Sequence, residues 1–507
     1  MTLLTATRQI AYTTDAAALF DALATPRNSL LLEAADIESK KNIDCLAILT
    51  AALRITCRGH DVTATALTPT GRLLLDDLDQ RFADRIRSSA PDTTTYRFAP
   101  STAPDERARL RDHSTADILR ALQTRAPYRG HRLPLLAGGF AFDYLETFET
   151  LPHVDEGPNG FPDYEFLVAE LLLHIDHLHR SATLEALGTD ERALQQLLDA
   201  AAAVTPATPP PCDLPHRTVT ARAAITDADF RRHVEDLQDN IRAGDVYQVV
   251  PSRAFSLDCP DAMAAYRRLR DTNPSPYMFY LRGADYELFG ASPESNLKYT
   301  PDTRQIELYP IAGTRPRGLD PDGAINHELD IRNELDMRTD RKEVAEHTML
   351  VDLARNDLAR VAAPRTRKVA ELLRVDRYSR VMHLVSRVTA TLDAGLDALD
   401  AYRACMNMGT LTGAPKLRAT ELIRATEKTR RGSYGGAIGY LRADGAMDTC
   451  IVIRSAYVAH GRAIVQAGAG VVRDSQPQAE ADETLHKAYA VLAAIAESHN
   501  ATLEVLR

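Results

Sequence analysis

The chain has 507 residues, 45% hydrophobic and 26% charged, an ordinary globular composition with enough length for a large core and more than one lobe. A formal net charge of −10 argues against a general nucleic-acid binder, whose electrostatic footprint is basic. No run reaches about 18 continuous apolar residues, and the N-terminus lacks a charged region followed by an apolar one, so neither a membrane span nor a signal peptide is expected.

In chain order, the first 200 residues mix short strand-like runs ("SLLLEAADI", "RITCRGHDVTATAL", "LLLHIDHL") with helical segments ("APDERARLRDH", "DERALQQLLDAAAAV"). Apolar periodicity stops at "AAAVTPATPPPCDLPHRTVTARAA", residues 201–224, which reads as a linker or long surface loop. The next segment, "TDADFRRHVEDLQDNIRAG", is predicted as a helix capped by Thr226 or Asp227 and closed by Gly244. Hairpin-like strands follow: "VYQVVPSRAFSL", "YMFYLRG", "YELFGASPE", "LKYTPDT" and "QIELYPIAGT". Beyond residue 340 long helices alternate with further strands, and no short-period repeat is present. The class is α+β with mainly antiparallel sheet. The six cysteines, Cys45, Cys57, Cys212, Cys259, Cys405 and Cys450, are scattered with no C-x-x-C pair, which speaks against zinc or a disulfide framework and fits a reducing cytoplasm.

Two helical segments carry carboxylates at i, i+3. Glu343 and Glu346 stand in "TDRKEVAEHTMLVDLARNDLA", and Glu480 and Glu483 in "SQPQAEADETLHKAYAVLAAIAE". An E-x-x-E pair on a helix is ordinarily a solvated face. Here "HTMLVDLA" and "YAVLAAIA" mark both helices as largely buried, so the two pairs could meet around one hard divalent ion such as Mg²⁺. Glycine-rich segments point to the same kind of site. "YPIAGTRPRG" ends a strand in Ala312-Gly313-Thr314, and "MNMGTLTGAPKLRA" carries Gly409-Thr410 before a helix start at Pro415. "GSYGGAIGY" and "VQAGAGVV" put glycine within strands, which is costly unless something must approach the backbone. Arg454 is a lone cation in the apolar run "CIVIRSAYV", asking for an anionic partner, either internal or a ligand. Lys487, one turn after Glu483, could pair with it or with a ligand. Together these features describe a pocket for a small ring bearing carboxylates, with a divalent ion on one of them.

Five stretches, "YPIAGTRPRG", "EHTMLVDLARND", "VMHLVSRV", "GTLTGAPK" and "QAGAGVV…EADET", with "LLLEAADIESK" near the start, resemble the large component of anthranilate synthase, in the chorismate-utilising enzyme family. The resemblance runs nearly end to end. It implies two large, mainly antiparallel sheets packed around helices, with a regulatory-type lobe at 1–200 and a chorismate-binding catalytic domain at 225–507. It implies Mg²⁺ on Glu346 and Glu483, with Glu343 and Glu480 nearby, holding the ring carboxylate of chorismate. Arg454 and Tyr434 would bind the enolpyruvyl carboxylate, aided by the backbone of Gly468, Ala469 and Gly470. Thr410 and Thr314, with Ala312, Gly313 and Lys487, would complete the pocket. Glu294 would be the general acid for the departing C4 hydroxyl, and His383 would assist that loss or a later pyruvate elimination. Without the resemblance, His383 reads as a core histidine.

Two positions bear on the nucleophile. Family members that add water carry a lysine base where this chain has Gln248, so ammonia is implied instead. Aminodeoxychorismate synthases carry a nucleophilic lysine where this chain has Ala312, so direct amination at C2 is implied. No glutaminase segment with its cysteine accompanies these motifs, which implies a separate glutamine amidotransferase subunit, in a homo-oligomer or a heterotetramer. The biosynthetic enzymes read "LLLES" where this chain has "LLLEA". Ala34 therefore removes a serine that helps to hold the inhibitor tryptophan, beside Glu33, while the other wall, Pro276, Tyr277, Met278 and Tyr440, is intact. The implied product is anthranilate. A relative that stops at 2-amino-2-deoxyisochorismate, or a non-catalytic ligand-binding relative, remains open at this level.

Overall fold

The computed structural model describes residues 2–35, 42–206, 215–320, 323–377 and 381–507. The end of the "LLLEAADIESK" motif, the centre of the expected linker and Cys212 lie outside these residues.

Two large sheets share one pair of long strands. Asn42–Arg58 and Tyr164–Asp176 run antiparallel along almost their whole length, with register shifts between Ile48 and Leu53. Such bulges bend and over-twist a strand. One half of the pair therefore belongs to one sheet and the other half to the second.

The first sheet continues from Ser29–Ala35 through Tyr277–Arg282, Glu287–Ser292, Ser455–Ala459 and Arg462–Gly468 to Ser252–Asp258. It ends on Arg217–Ala223, whose pairing with Ala501–Leu506 is the one parallel ladder among the described strands. The second sheet continues from Leu135–Phe140 through Ala437–Arg442, Met447–Ile451, Ser295–Thr300 and Gln305–Leu308 to Val381–Thr391. That last strand is flanked by Ile311–Pro316 and Lys368–Arg377.

Strand alternation builds two cores from the first sheet. Leu30, Ile48 and Phe279 face the second sheet and pack with Leu136, Phe166 and Ile438. Their neighbours Leu31, Ala47, Met278 and Tyr280 face the other way, where Tyr266, Val491 and Leu492 cover them from two helices. The expected helix after the linker is present as Asp227–Ala243, capped by the Thr226 side chain and closed by Gly244 at φ 87°.

Three sequence expectations change. Within the predicted linker, residues 217–223 form a strand, because Val219 and Ala221 have a sheet edge to pair with. The predicted strand at 246–257 breaks at Pro251, which has no N–H to give to a ladder, into Gln248–Val249 and Ser252–Asp258. The run "QIELYPIAGT" likewise splits, into Gln305–Leu308 and Ile311–Pro316.

Candidate active site

The Arg341–Ala359 helix packs on Ile311–Pro316 and Val381–Thr391 of the second sheet, whereas the Pro477–Ser498 helix packs on Arg462–Gly468 of the first. The candidate site lies where these elements meet. Asp340 caps the first helix by accepting from the backbone N–H groups of Lys342 and Glu343. Pro477 stands in the first turn of the second, where its missing N–H costs nothing.

The four acids are neighbours, and each is engaged locally. Arg315 Nη1 donates to Glu343 at 2.8 Å, Lys342 stands 3.7 Å from Glu346, and Lys487 Nζ stands 2.6 Å from Glu483. Burial raises the Glu346 carboxyl, and after the opposing charge of Lys342, those of Glu343 and Glu483 raise it further. Burial also raises Glu480, against a Ser475 hydrogen bond, and the Glu483 charge adds to it. Burial would raise Glu483 too, but Lys487 and Arg454 outweigh it and hold that carboxyl low. Among the described residues no three His, Cys, Asp or Glu side chains converge as a metal-ligating group. The donor set, hard carboxylate oxygens from two helices with mutual repulsion at Glu346, fits a Mg²⁺-type ion once the lysines release Glu346 and Glu483.

Glu294 lies between two strands of different sheets, Glu287–Ser292 and Ser295–Thr300. Its side chain is buried, and Thr410 Oγ1 donates to Oε1 at 3.1 Å. Burial pushes this carboxyl up to about 8, against the Thr410 hydrogen bond and the Lys487 charge. It is therefore protonated at neutral pH. A cavity of about 20 Å³ adjoins Glu294 and Thr410, room for about one water-sized molecule.

His383 pairs in register with Thr314, whose hydroxyl lies 2.9 Å from its Nδ1. Burial and then the charge of Arg454 hold this imidazole down at about 4, so it is neutral across the physiological range. Gly313 has φ 89°, and a Cβ there would stand 3.3 Å from Glu343 Oε2, so this turn lies directly against the acids.

Arg454 was expected inside an apolar strand. Instead it sits in the break between Met447–Ile451 and Ser455–Ala459, at φ 51°. Its Nη1 donates to the Lys487 carbonyl at 2.7 Å. Burial lowers its pKa, against the pull of Tyr434 and Glu483. Lys487 Nζ also donates to the Gly468 carbonyl at 3.0 Å. A Cβ on Gly468 would stand 3.0 Å from the Tyr434 hydroxyl, and one on Gly470 would stand 2.6 Å from Gln248 Nε2. Ala469 between them is fully buried. These glycines are therefore close-approach positions, as glycine in a strand suggested. Gln248 pairs with Ala414 in a small two-stranded ladder, and its buried Oε1 has no hydrogen-bond partner.

The chain matches the chorismate binding enzyme family over residues 72–493. It belongs to that family. Anthranilate synthase component 1 of Vibrio cholerae is 51% identical over 505 residues, covering 97% of this chain and 96% of the relative. The pyocyanine-specific anthranilate synthase component 1 of Pseudomonas aeruginosa is 51% identical over 480 residues, covering 92% and 90%. The crystal structure of anthranilate synthase component I from Streptococcus pneumoniae superimposes with a TM-score of 0.71 at 28% identity, covering 89% of this chain and 92% of that one. This chorismate-binding enzyme is thus of the anthranilate synthase component 1 type.

The acids, Glu294, His383, Thr314, Thr410, Gln248, Arg454, Tyr434, Lys487 and the glycine backbone form one neighbourhood, linked by the contacts above. Sequence reasoning missed His347. It is fully buried; its Nδ1 lies 3.1 Å from the Ala312 carbonyl and its Nε2 2.7 Å from Ser386 Oγ, which fixes the backbone before Gly313. It also missed the buried pair Lys416–Asp357 at 2.7 Å, which holds the segment after Thr410 to the Arg341–Ala359 helix. The position of His347 beside Glu346 was the available signal.

The residues expected to form the tryptophan site stand apart from this neighbourhood. Glu33, Ala34, Tyr277, Met278 and Tyr440 line a cavity of about 100 Å³, together with Asp448. Pro276 borders it through its carbonyl, which accepts from Ala35 N–H. Glu33 is buried, hydrogen-bonded by Tyr266 and 3.5 Å from Arg270.

Proposed function

We propose that this enzyme aminates chorismate at C2 with ammonia and then eliminates pyruvate to give anthranilate. The observation that carries this reading is the buried Glu294 carboxyl, held protonated beside Thr410. In the first step the C2–N bond forms as the C4–O bond breaks, and the leaving hydroxyl takes the Glu294 proton and departs as water. A carboxylic acid that is neutral at pH 7 but near its titration range suits that task. His383, neutral and oriented by Thr314, accepts the C2 proton as the C3–O bond breaks, the ring becomes aromatic and enolpyruvate departs, taking up a proton to become pyruvate.

Arg454, with the backbone at Gly468 to Gly470 and Tyr434, takes the enolpyruvyl carboxylate. Gln248 cannot serve as a base for water, which supports ammonia as the nucleophile. Glu346 and Glu483 would hold a Mg²⁺ ion, with Glu343 and Glu480 beside them, and the ion would supply positive charge for the ring carboxylate. A separate glutamine amidotransferase subunit delivers the ammonia, and free ammonium replaces it. Tryptophan inhibition is weak, because Ala34 offers no hydroxyl in the cavity against Tyr277 and Tyr440.

The protein is incubated with chorismate, Mg²⁺ and ammonium. Stoichiometric pyruvate and fluorescent anthranilate are expected. A non-aromatic amino acid without pyruvate would replace this reading with 2-amino-2-deoxyisochorismate synthesis. Absence of turnover would make the chain a ligand-binding relative.

A further inference from the structure

A cavity of about 350 Å³ opens away from the candidate active site and from the cavity at Ala34. Phe98, Phe148 and Leu151 supply apolar wall, and Ser114, Glu149 and Arg403 supply polar groups. Arg403, on the Ala398–Cys405 helix, is only 5% exposed. Its Nη1 donates to the Leu110 carbonyl at 3.4 Å, and its guanidinium carbon stands 5.0 Å from the Phe148 ring centroid. Its Nε has no hydrogen-bond partner, and among the described residues no carboxylate stands at ion-pair distance from it. The buried Ser114 hydroxyl is also unpartnered.

A buried cation needs a counter-ion, and a carbonyl and a ring face meet only part of that need. The charges of Asp112, Asp400 and Glu149 act with Arg403 from beyond ion-pair distance, but its buried Nε–H still lacks an acceptor, which an anion in the cavity would supply. Glu149 narrows its chemistry. This side chain faces the same space, since the charges of Arg109 and Arg403 act on it, yet it makes no ion pair with either. Glu146 also lines the cavity, and Arg424 and Arg430 engage it. A polyanion would meet both carboxylates, whereas a single carboxylate beside an ammonium matches Arg403 on one side and Glu149 on the other. The aromatic and aliphatic wall suits an apolar body of modest size.

We propose that this cavity binds an apolar α-amino acid, with its carboxylate on Arg403 and its ammonium on Glu149. The Ala398–Cys405 helix runs directly into the segment that carries Thr410. Its last carbonyls, Ala404 and Cys405, accept from Arg360 at 2.6 Å and Lys416 at 2.7 Å. A ligand on Arg403 therefore bears on the element that holds Thr410 against Glu294.

The test titrates leucine, phenylalanine, tyrosine and tryptophan, one at a time, into the full-length protein by calorimetry. At least one is expected to bind with Kd below about 1 mM. Its N-acetyl and amide derivatives, which lack the ammonium and the carboxylate, should bind at least tenfold more weakly. Glu149→Gln should weaken binding at least tenfold and Arg403→Gln should remove it. If the buried Arg403 variant does not fold, Glu149→Gln and the two derivatives decide the matter. Binding by none of the four overturns the proposal. So does binding that Glu149→Gln leaves unchanged, which would place the ligand elsewhere, including the cavity at Ala34.

Discussion

Glu294 and His383 are opposites made by the same cause. Burial disfavours the charged form of each, so the carboxyl is pushed up to about 8 and the imidazole down to about 4. At pH 7 both are neutral, one able to give a proton and the other to take one. Because the Glu294 pKa is raised, its acid form is complete well below 8 and disappears as pH rises through that value. In ammonium-dependent assays at saturating free NH₃, kcat/KM should therefore fall above about pH 8. Glu294→Gln keeps an acceptor for Thr410 but has no proton to give. It should lower kcat by about 10²–10⁴-fold with little change in Tm, and the alkaline limb should vanish with it. A variant that retains the limb would place the titrating group elsewhere. At Ala34 the missing hydroxyl partner for a charged ligand is worth about 1.5–3 kcal/mol, or roughly ten- to a hundredfold in affinity. Ala34→Ser should tighten tryptophan inhibition by that factor; an unchanged inhibition constant would exclude the hydroxyl as the cause.

At the scale of elements, the active site depends on two helices from different parts of the chain. An acidic helix start is commonplace because carboxylates favourably meet the positive end of the dipole. Glu480 stands in that first turn, while Asp482, beyond it, bonds Gln478 and Arg507 on the exposed face. The dipole does not account for burying Glu480 beside Glu483, whose charge also acts on a Glu346 crowded by Glu343. Replacing Glu483 by Gln removes one carboxylate and frees Lys487. Turnover and Mg²⁺-dependent chorismate binding should be lost while the far-ultraviolet dichroism and Tm stay near those of the parent. Near-normal activity would return Glu483 to an ordinary surface ion pair. The spacing of the acids and the "AGT" and "GAG" turns were legible in the sequence. The engagement of Glu343 was not, since Arg315 reaches it from another element.

At the scale of the molecule, the residue 1–200 half and the residue 225–507 half share both sheets. Ser29–Ala35 pairs with Tyr277–Arg282, and Leu135–Phe140 pairs with Ala437–Arg442. A fragment of 225–507 would expose Phe279, Leu281, Ile438 and Leu441 along unpaired strand edges. It should be insoluble or molten, with no cooperative thermal transition, whereas the full chain should unfold cooperatively. A fragment with sharp near-ultraviolet dichroism would show that the shared sheets are dispensable. The sequence by itself determined the α+β class, the helix caps at Thr226 and Gly244, the paired acids and the family, because these rest on local periodicity and on motifs a few residues long. Only the tertiary structure decided that the two halves interlock and that Arg454 stands in a break between strands. It alone placed His347 behind Ala312 and left the Arg403 Nε–H buried without an acceptor. Those features depend on contacts between residues far apart in the chain, and no local pattern of side chains encodes which distant partner a strand edge or a charge will meet.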